Sequence, residues 1–259
     1  MSAQDSLSRR DRHALADALK RGLYETVFRR RDIREFTDDP VPDEVLARVL
    51  TAAHHAPSVG FTQPWDFILV RDIERRRRVR AIFEDERAKN AAQFTGARRG
   101  KFLSLKLEGI LEAPLNLIVT CTPERFGPGV LGKTSIREVE IYSACLAVEN
   151  LWLAARAEGL GLGWVSILRN DAVCEIFGIP DGVIPVAYLC IGYVRDFPDW
   201  PILAAKEWAS RLPPRELIHF DSWKGGGAAA DSLKAAIDDR SIWRTIFPGD
   251  SPDDPPARE

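Results

Sequence analysis

Ala154-Ala155-Arg156-Ala157-Glu158-Gly159-Leu160-Gly161-Leu162-Gly163-Trp164-Val165-Ser166-Ile167-Leu168 joins the strongest helical pattern of the chain to an apolar strand. The architecture is read outward from that junction. Upstream of it, residues 137–158 carry Val139, Tyr142, Cys145, Leu146, Val148, Leu151, Trp152, Leu153 and Ala155, apolar around much of a helical circumference. A helix apolar nearly all round is buried, here either as the centre of a domain or at a subunit interface. The glycines from Gly159 to Gly163 break it, and residues 164–168 follow as a strand. These glycines follow a helix and precede a strand, the reverse of the dinucleotide-binding order, which excludes that reading.

Downstream, residues 171–177 read as a short helix capped by Asn170 or Asp171 and closed by Gly178 and Pro180, and residues 183–194 as a buried strand. Prolines then mark an extended segment anchored by Trp200, Trp208 and Leu212. Gly225 to Gly227 reads as a flexible joint before a short helix at 231–239, and residues 248–259 as disordered. Upstream, residues 122–133 form a loop and 114–121 a buried strand. Residues 88–112 read as irregular helix and a mobile lid, 73–86 as a charged helix, and 65–70 as a strand. Val45, Leu46, Val49 and Leu50 make a helix of 42–54, which ends at His54 and His55, a pair expected to cap carbonyls or meet solvent rather than act as bases. Leu15, Leu19, Leu23 and Val27 give a first amphipathic helix over 11–30. Helices alternating with buried strands around one dominant helix indicate an α+β or α/β layered domain.

Composition narrows the function classes. The chain has 259 residues, 45% hydrophobic and 29% charged, enough for one domain with a full core. A net charge of -2 gives no global attraction to nucleic acid or anionic lipid. The run Arg75-Arg76-Arg77-Arg78 with Arg80 then reads as the face of an exposed helix. Cys121, Cys145, Cys174 and Cys190 lack metal-ligand spacing and read as reduced core thiols, so no metal is expected. No apolar leader or membrane-length stretch is evident, which points to the cytoplasm.

A local basic site remains. Phe28-Arg29-Arg30-Arg31-Asp32-Ile33-Arg34-Glu35-Phe36 sets four arginines around one aspartate. Guanidinium forks hold phosphate through bidentate, permanently charged donors, although a solvated helix end would look similar. A second stretch, Ala56-Pro57-Ser58-Val59-Gly60-Phe61-Thr62-Gln63-Pro64-Trp65, shifts the reading toward a flavin.

Together with Gly161-Leu162-Gly163-Trp164, these stretches resemble the flavin-binding pattern of the nitroreductase-like superfamily. More narrowly, they are similar to its 5,6-dimethylbenzimidazole synthase family, with the match running over about residues 29–217 and Thr62 standing where serine is expected. The resemblance implies an α+β, FMN-dependent three-layer fold, with a central, mostly antiparallel sheet flanked by helices. It also implies a lid near 88–112, one domain over 1–224, a flexible extension over 225–259 and an intertwined homodimer. Reduced FMN would be a substrate rather than a recycled cofactor. With dioxygen as co-substrate it would be fragmented to 5,6-dimethylbenzimidazole and erythrose 4-phosphate, and it would arrive from free solution or a separate flavin reductase. No nucleic acid or membrane partner is implied.

By the same resemblance Asp32 and Ser166 are the catalytic candidates. Arg30, Arg31 and Arg34 would clamp the phosphate with Ser58, and Arg211 is a further phosphate candidate. Ile33, Gly60 and Gly163 would line the flavin, the glycines by allowing close backbone approach. An NAD(P)H-using FMN nitroreductase and a non-catalytic flavin-binding protein are the competing readings.

Overall fold

The computed structural model describes residues 13–244 and 246–247; the expectations for 1–12 and 248–259 lie outside the described residues. In chain order the main elements are α1 (Asp17–Arg29), α2 (Asp43–His54), β1 (Trp65–Val70), α3 (Ile73–Ala91), α4 (Gly96–Ser104), β2 (Leu115–Cys121), α5 (Val139–Ala157), β3 (Leu160–Val165), α6 (Asn170–Phe177), β4 (Ile184–Tyr193), α7 (Ile202–Ala205) and α8 (Ala228–Asp238). The chain parts into two compact units, Arg30–Trp208 and Met1–Arg29 with Ala209–Glu259.

The larger unit is built on a four-stranded sheet in the order β1-β2-β4-β3, antiparallel throughout. Leu117 of β2 pairs with Leu69 on one side and Leu189 on the other, which fixes the register across three strands. Every residue of β2 is buried, because its alternate side chains serve two cores. On one face α2 and α5 cover Leu117, Val119, Leu162, Leu189 and Ile191. On the other, Val79 and Phe83 of α3, Val173 and Ile176 of α6, and Ile110 cover Ile118, Val165, Tyr188 and Cys190. The result is the expected α+β three-layer arrangement.

A parallel bridge joins Asp32 to Leu162, and the Ile33 amide donates to the Leu162 carbonyl at 2.9 Å. The arginine segment therefore lies along the free edge of β3. This docking explains why β3 starts at Leu160 rather than at Trp164 as expected. Only Gly159, at φ +77°, ends the helix. Gly161 and Gly163 belong to the strand: a Cβ on Gly161 would lie 3.0 Å from Ile33 Cγ2, and one on Gly163 only 1.9 Å from the Ile33 carbonyl oxygen. Glycine inside a strand marks a close backbone approach.

Three further expectations change. Arg76 is buried rather than solvated, and its guanidinium donates to the Ile110 and Leu111 carbonyls at 2.7 and 3.0 Å and also to Ala113. Helix α3 runs on to Ala91 from an Asp72 cap that accepts the Glu74 and Arg75 amides, so the segment 88–112 is only partly irregular. Its later part is core, with Leu105 and Ile110 buried, and α4 is tied down by the Phe94–Phe102–Trp208 ring cluster. Helix α5 is apolar all round but has one bare face: Tyr142 and Leu146 are exposed, opposite Ala144, Ala147, Leu151 and Ala155 in the core.

In the smaller unit the apolar stripe Leu15, Leu19, Leu23 and Val27 is exposed. The neighbouring stripe is the one covered. Tyr24 and Phe28 meet Trp243 edge-on at 5.2 and 5.1 Å, and Arg21 Nε donates to the Ile246 carbonyl at 2.8 Å.

Candidate active site

The site is assembled where the arginine segment meets the end of β3. Asp32 is held at both carboxylate oxygens: Oδ1 accepts the Trp164 amide at 3.0 Å and Oδ2 accepts Arg34 Nη2 at 2.5 Å. Arg34 Nη2 also donates to the Trp164 carbonyl at 2.7 Å, so Asp32, Arg34 and the Trp164 residue close a ring of hydrogen bonds. Burial raises the Asp32 carboxyl above its ordinary value, opposed by the Arg34 charge, the Trp164 amide and Arg30. The Asp32 side chain nevertheless keeps 41% of its surface open, so water still moderates that rise. Covering the open face would push the carboxyl further in the same direction.

The three arginines expected on a phosphate divide. Arg31 is buried, donating to the Arg30 carbonyl at 2.9 Å and the Asp199 carbonyl at 2.5 Å. Arg34, 8% exposed, is engaged as above. Both guanidinium groups are turned into the chain, because backbone carbonyls from distant segments wait for them there. Arg30 differs. Its guanidinium lies 4.8 Å above the Trp152 ring, 3.9 Å from Glu149, and its side chain stays 29% exposed, which leaves donors for an anion.

Ser58 stands at the head of a tight turn. Its Oγ accepts the Gln63 amide at 3.0 Å, while Thr62 Oγ1 donates to the Val59 carbonyl at 2.9 Å. Phe61 and Gln63 both hold positive φ, +58° and +39°, and Phe61 is exposed. Non-glycine residues in that region carry local strain and persist only where the surroundings impose it. Here the Val59 amide donates to the buried Ser143 Oγ at 3.1 Å, and Gly60, at φ +50°, faces Val130 and Leu131 so closely that a Cβ would lie 2.8 Å from Val130 Cγ1. Helix α5 thus carries Ser143 for this turn and Glu149 with Trp152 for Arg30. Six residues of helix, about 9 Å, set the spacing between Ser143 and Glu149.

Ser166 is exposed, two residues beyond the Trp164 amide, and borders a cavity of about 200 Å3 with Trp164, Leu168, Asn170, Val173 and Tyr188. Ile33 is buried, its carbonyl accepting Arg34 Nη1 at 3.2 Å. On the Cβ side of Gly163 the close approach is between two segments of this chain, Arg34 and β3. Arg211 is exposed and belongs to the smaller unit, outside the unit that carries the other candidates. His54 Nδ1 accepts from the Trp65 indole at 3.2 Å, and His55 Nδ1 lies 2.8 Å from the Thr51 carbonyl, so both are locally engaged. Sequence reading missed Ser143, Glu149 and Trp152 as supports. The available signal was polar Ser143, with Glu140 one turn before it, on a helix otherwise rich in apolar residues.

All four cysteines are free thiols; burial pushes Cys121 up to about 11 and Cys190 up to about 12, so both stay protonated. Among the described residues no group of three or more His, Cys, Asp or Glu could hold a metal ion, and no helix is long and apolar enough to cross a membrane.

Comparison with known proteins places this geometry. The model of the nitroreductase family matches residues 27–193. A 5,6-dimethylbenzimidazole synthase of Rhodospirillum rubrum is 42% identical over 184 residues, 71% of this chain and 87% of that protein. One from Rhodobacter capsulatus is 38% identical over 191 residues, 74% and 92% of the two chains. The crystal structure of oxidized iodotyrosine deiodinase bound to FMN and 3-iodo-L-tyrosine superposes with a TM-score of 0.61 at 22% identity, covering 78% of this chain and all of that one, a likeness of fold. The chain belongs to the nitroreductase family, alongside the 5,6-dimethylbenzimidazole synthases.

Proposed function

We propose that this protein is a 5,6-dimethylbenzimidazole synthase, which takes reduced FMN and dioxygen as substrates and releases 5,6-dimethylbenzimidazole, the lower ligand of cobalamin, with erythrose 4-phosphate. The observation that carries the reading is Asp32, a carboxylate fixed at both oxygens yet open on one side, in a chain 42% identical to such a synthase. The donor set fits a phosphate-bearing flavin: a half-buried Arg30 over Trp152, the ionisable Asp32 two residues further on at the edge of β3, and the Ser58 hydroxyl on a separate turn. Reduced FMN, when bound, supplies both the electrons for dioxygen and the carbon skeleton of the product.

The residues divide the remaining work. Arg30 binds the phosphate with Ser58 as hydroxyl donor. Asp32, its carboxyl already raised by burial, takes and returns a proton at its open face. Ser166 offers a hydroxyl to the reacting end. Two copies form a homodimer, for which the bare Tyr142 and Leu146 face of α5 offers apolar surface, and the exposed part of the 88–112 segment shields the site from water. Reduced flavin reaches the site from solution or a flavin reductase, in the cytoplasm.

Purified protein incubated with FMN, a chemical reductant and air should yield 5,6-dimethylbenzimidazole by chromatography and mass spectrometry, and Asp32→Asn should not. Recovery of intact FMN with steady NAD(P)H oxidation would return the chain to the flavin-recycling nitroreductases.

A further inference from the structure

We propose that Arg34 is a positioning residue, whose guanidinium fixes the Asp32 carboxylate against the Trp164 peptide through a slot that Gly163 keeps open, and that it is not part of the phosphate clamp. This deepens the synthase reading and rests on it. Arg34 is 8% exposed, and a guanidinium so buried must find acceptors on every side it presents. It finds three: the Ile33 carbonyl at 3.2 Å, the Trp164 carbonyl at 2.7 Å and Asp32 Oδ2 at 2.5 Å. The space is reserved for it. A Cβ on Gly163 would stand 2.2 Å from Arg34 Nη1, so any other residue there would displace the guanidinium or lift the segment from the sheet.

The ring of contacts has a geometric consequence. Trp164 gives its amide to Asp32 Oδ1 and receives Arg34 at its carbonyl, while Arg34 joins back to Asp32 Oδ2. A carboxylate held at both oxygens by groups on two segments has one orientation and presents its remaining lone pairs to the open side. The charges that face it are Arg34 and Arg30, both from its own segment, and the strand contributes only the neutral Trp164 amide. Arg34 ranks ahead of Arg30 among the influences that lower its carboxyl. Arg30, more exposed and resting on Trp152, is left as the phosphate contact.

The test uses the full-length protein and separates the two arginines. Asp32 is followed by carboxyl carbon-13 resonance against pH in the protein alone, and FMN affinity by quenching of flavin fluorescence. Arg34→Met should move the Asp32 midpoint up by about one unit or more, as expected for loss of an adjacent opposite charge. It should change FMN affinity by less than Arg30→Met, which should weaken binding on the order of tenfold to a hundredfold through loss of a charged hydrogen bond. Should Arg34→Met fail to fold, Arg34→Lys decides. It keeps the charge and loses the fork, so the Asp32 midpoint should rise and the pH profile of product formation should move with it. An unmoved Asp32 midpoint in the folded Arg34 variant, or FMN affinity lost as in Arg30→Met, would overturn the assignment. The carbon-13 midpoint and the FMN affinity need no turnover, so a wild type that binds FMN but makes no 5,6-dimethylbenzimidazole would sink the synthase reading while leaving the role of Arg34 to be judged on those two readings.

Discussion

Asp32 couples stability to pH in a definite direction. Its carboxyl is raised in the folded chain by burial, so the fold binds its proton more tightly than the unfolded chain does. That contribution is complete below the unfolded value and is lost as pH rises through the folded one. Asp32→Asn removes it. The stability of wild type relative to Asp32→Asn should therefore decline as pH rises above the ordinary aspartate value of about 4, read from urea unfolding at several pH values, and an increase in that direction would contradict the sign. Gly163 makes the second case at this scale. With Ile33 O 1.9 Å from the place of its missing Cβ, Gly163→Ala must push the arginine segment off β3. A loss of about 1–3 kcal/mol is expected in urea unfolding, the usual cost of overfilling a close-packed site.

At the scale of elements, the arginine run of α3 shows how one helix face is divided. Arg76 enters the core and satisfies carbonyls at Ile110, Leu111 and Ala113, while Arg77 remains on the surface in a pair with Glu74. Arg76→Ala leaves buried carbonyls without donors and should cost on the order of 3 kcal/mol. Arg77→Ala should change stability by less than about 0.5 kcal/mol. Equal effects from the two would mean that the turn before β2 is not held by Arg76. Existence and type of most helices and strands were legible in the sequence, since 65–70, 114–121 and 42–54 announce themselves through local pattern. The start of β3 was not. Its glycines look like a break until the segment that fills their missing side chains is in place.

At the scale of the whole chain, the C-terminal extension is tied to the N-terminal helix within the smaller unit. Trp243 meets Tyr24 and Phe28 edge-on, while the leucine stripe of the same helix stands bare. Two such ring pairs contribute about 1–3 kcal/mol together. Trp243→Ala should accordingly speed hydrogen exchange in α1. Unchanged protection would show that α1 is held chiefly by contacts other than Trp243.

The sequence by itself determined the layered class of alternating helices and buried strands and the cationic cluster around one carboxylate. Each depends on neighbours within a few residues, and periodicity and composition record such neighbours directly. Only the tertiary structure decided which arginines face inward and which one keeps donors for a ligand. Arg31 and Arg34 are buried because the carbonyls of Asp199 and Trp164, 168 and 130 residues away in the chain, accept their protons. Charged side chains leave water only where such partners converge, and no local pattern in a sequence says where the chain will return to supply them.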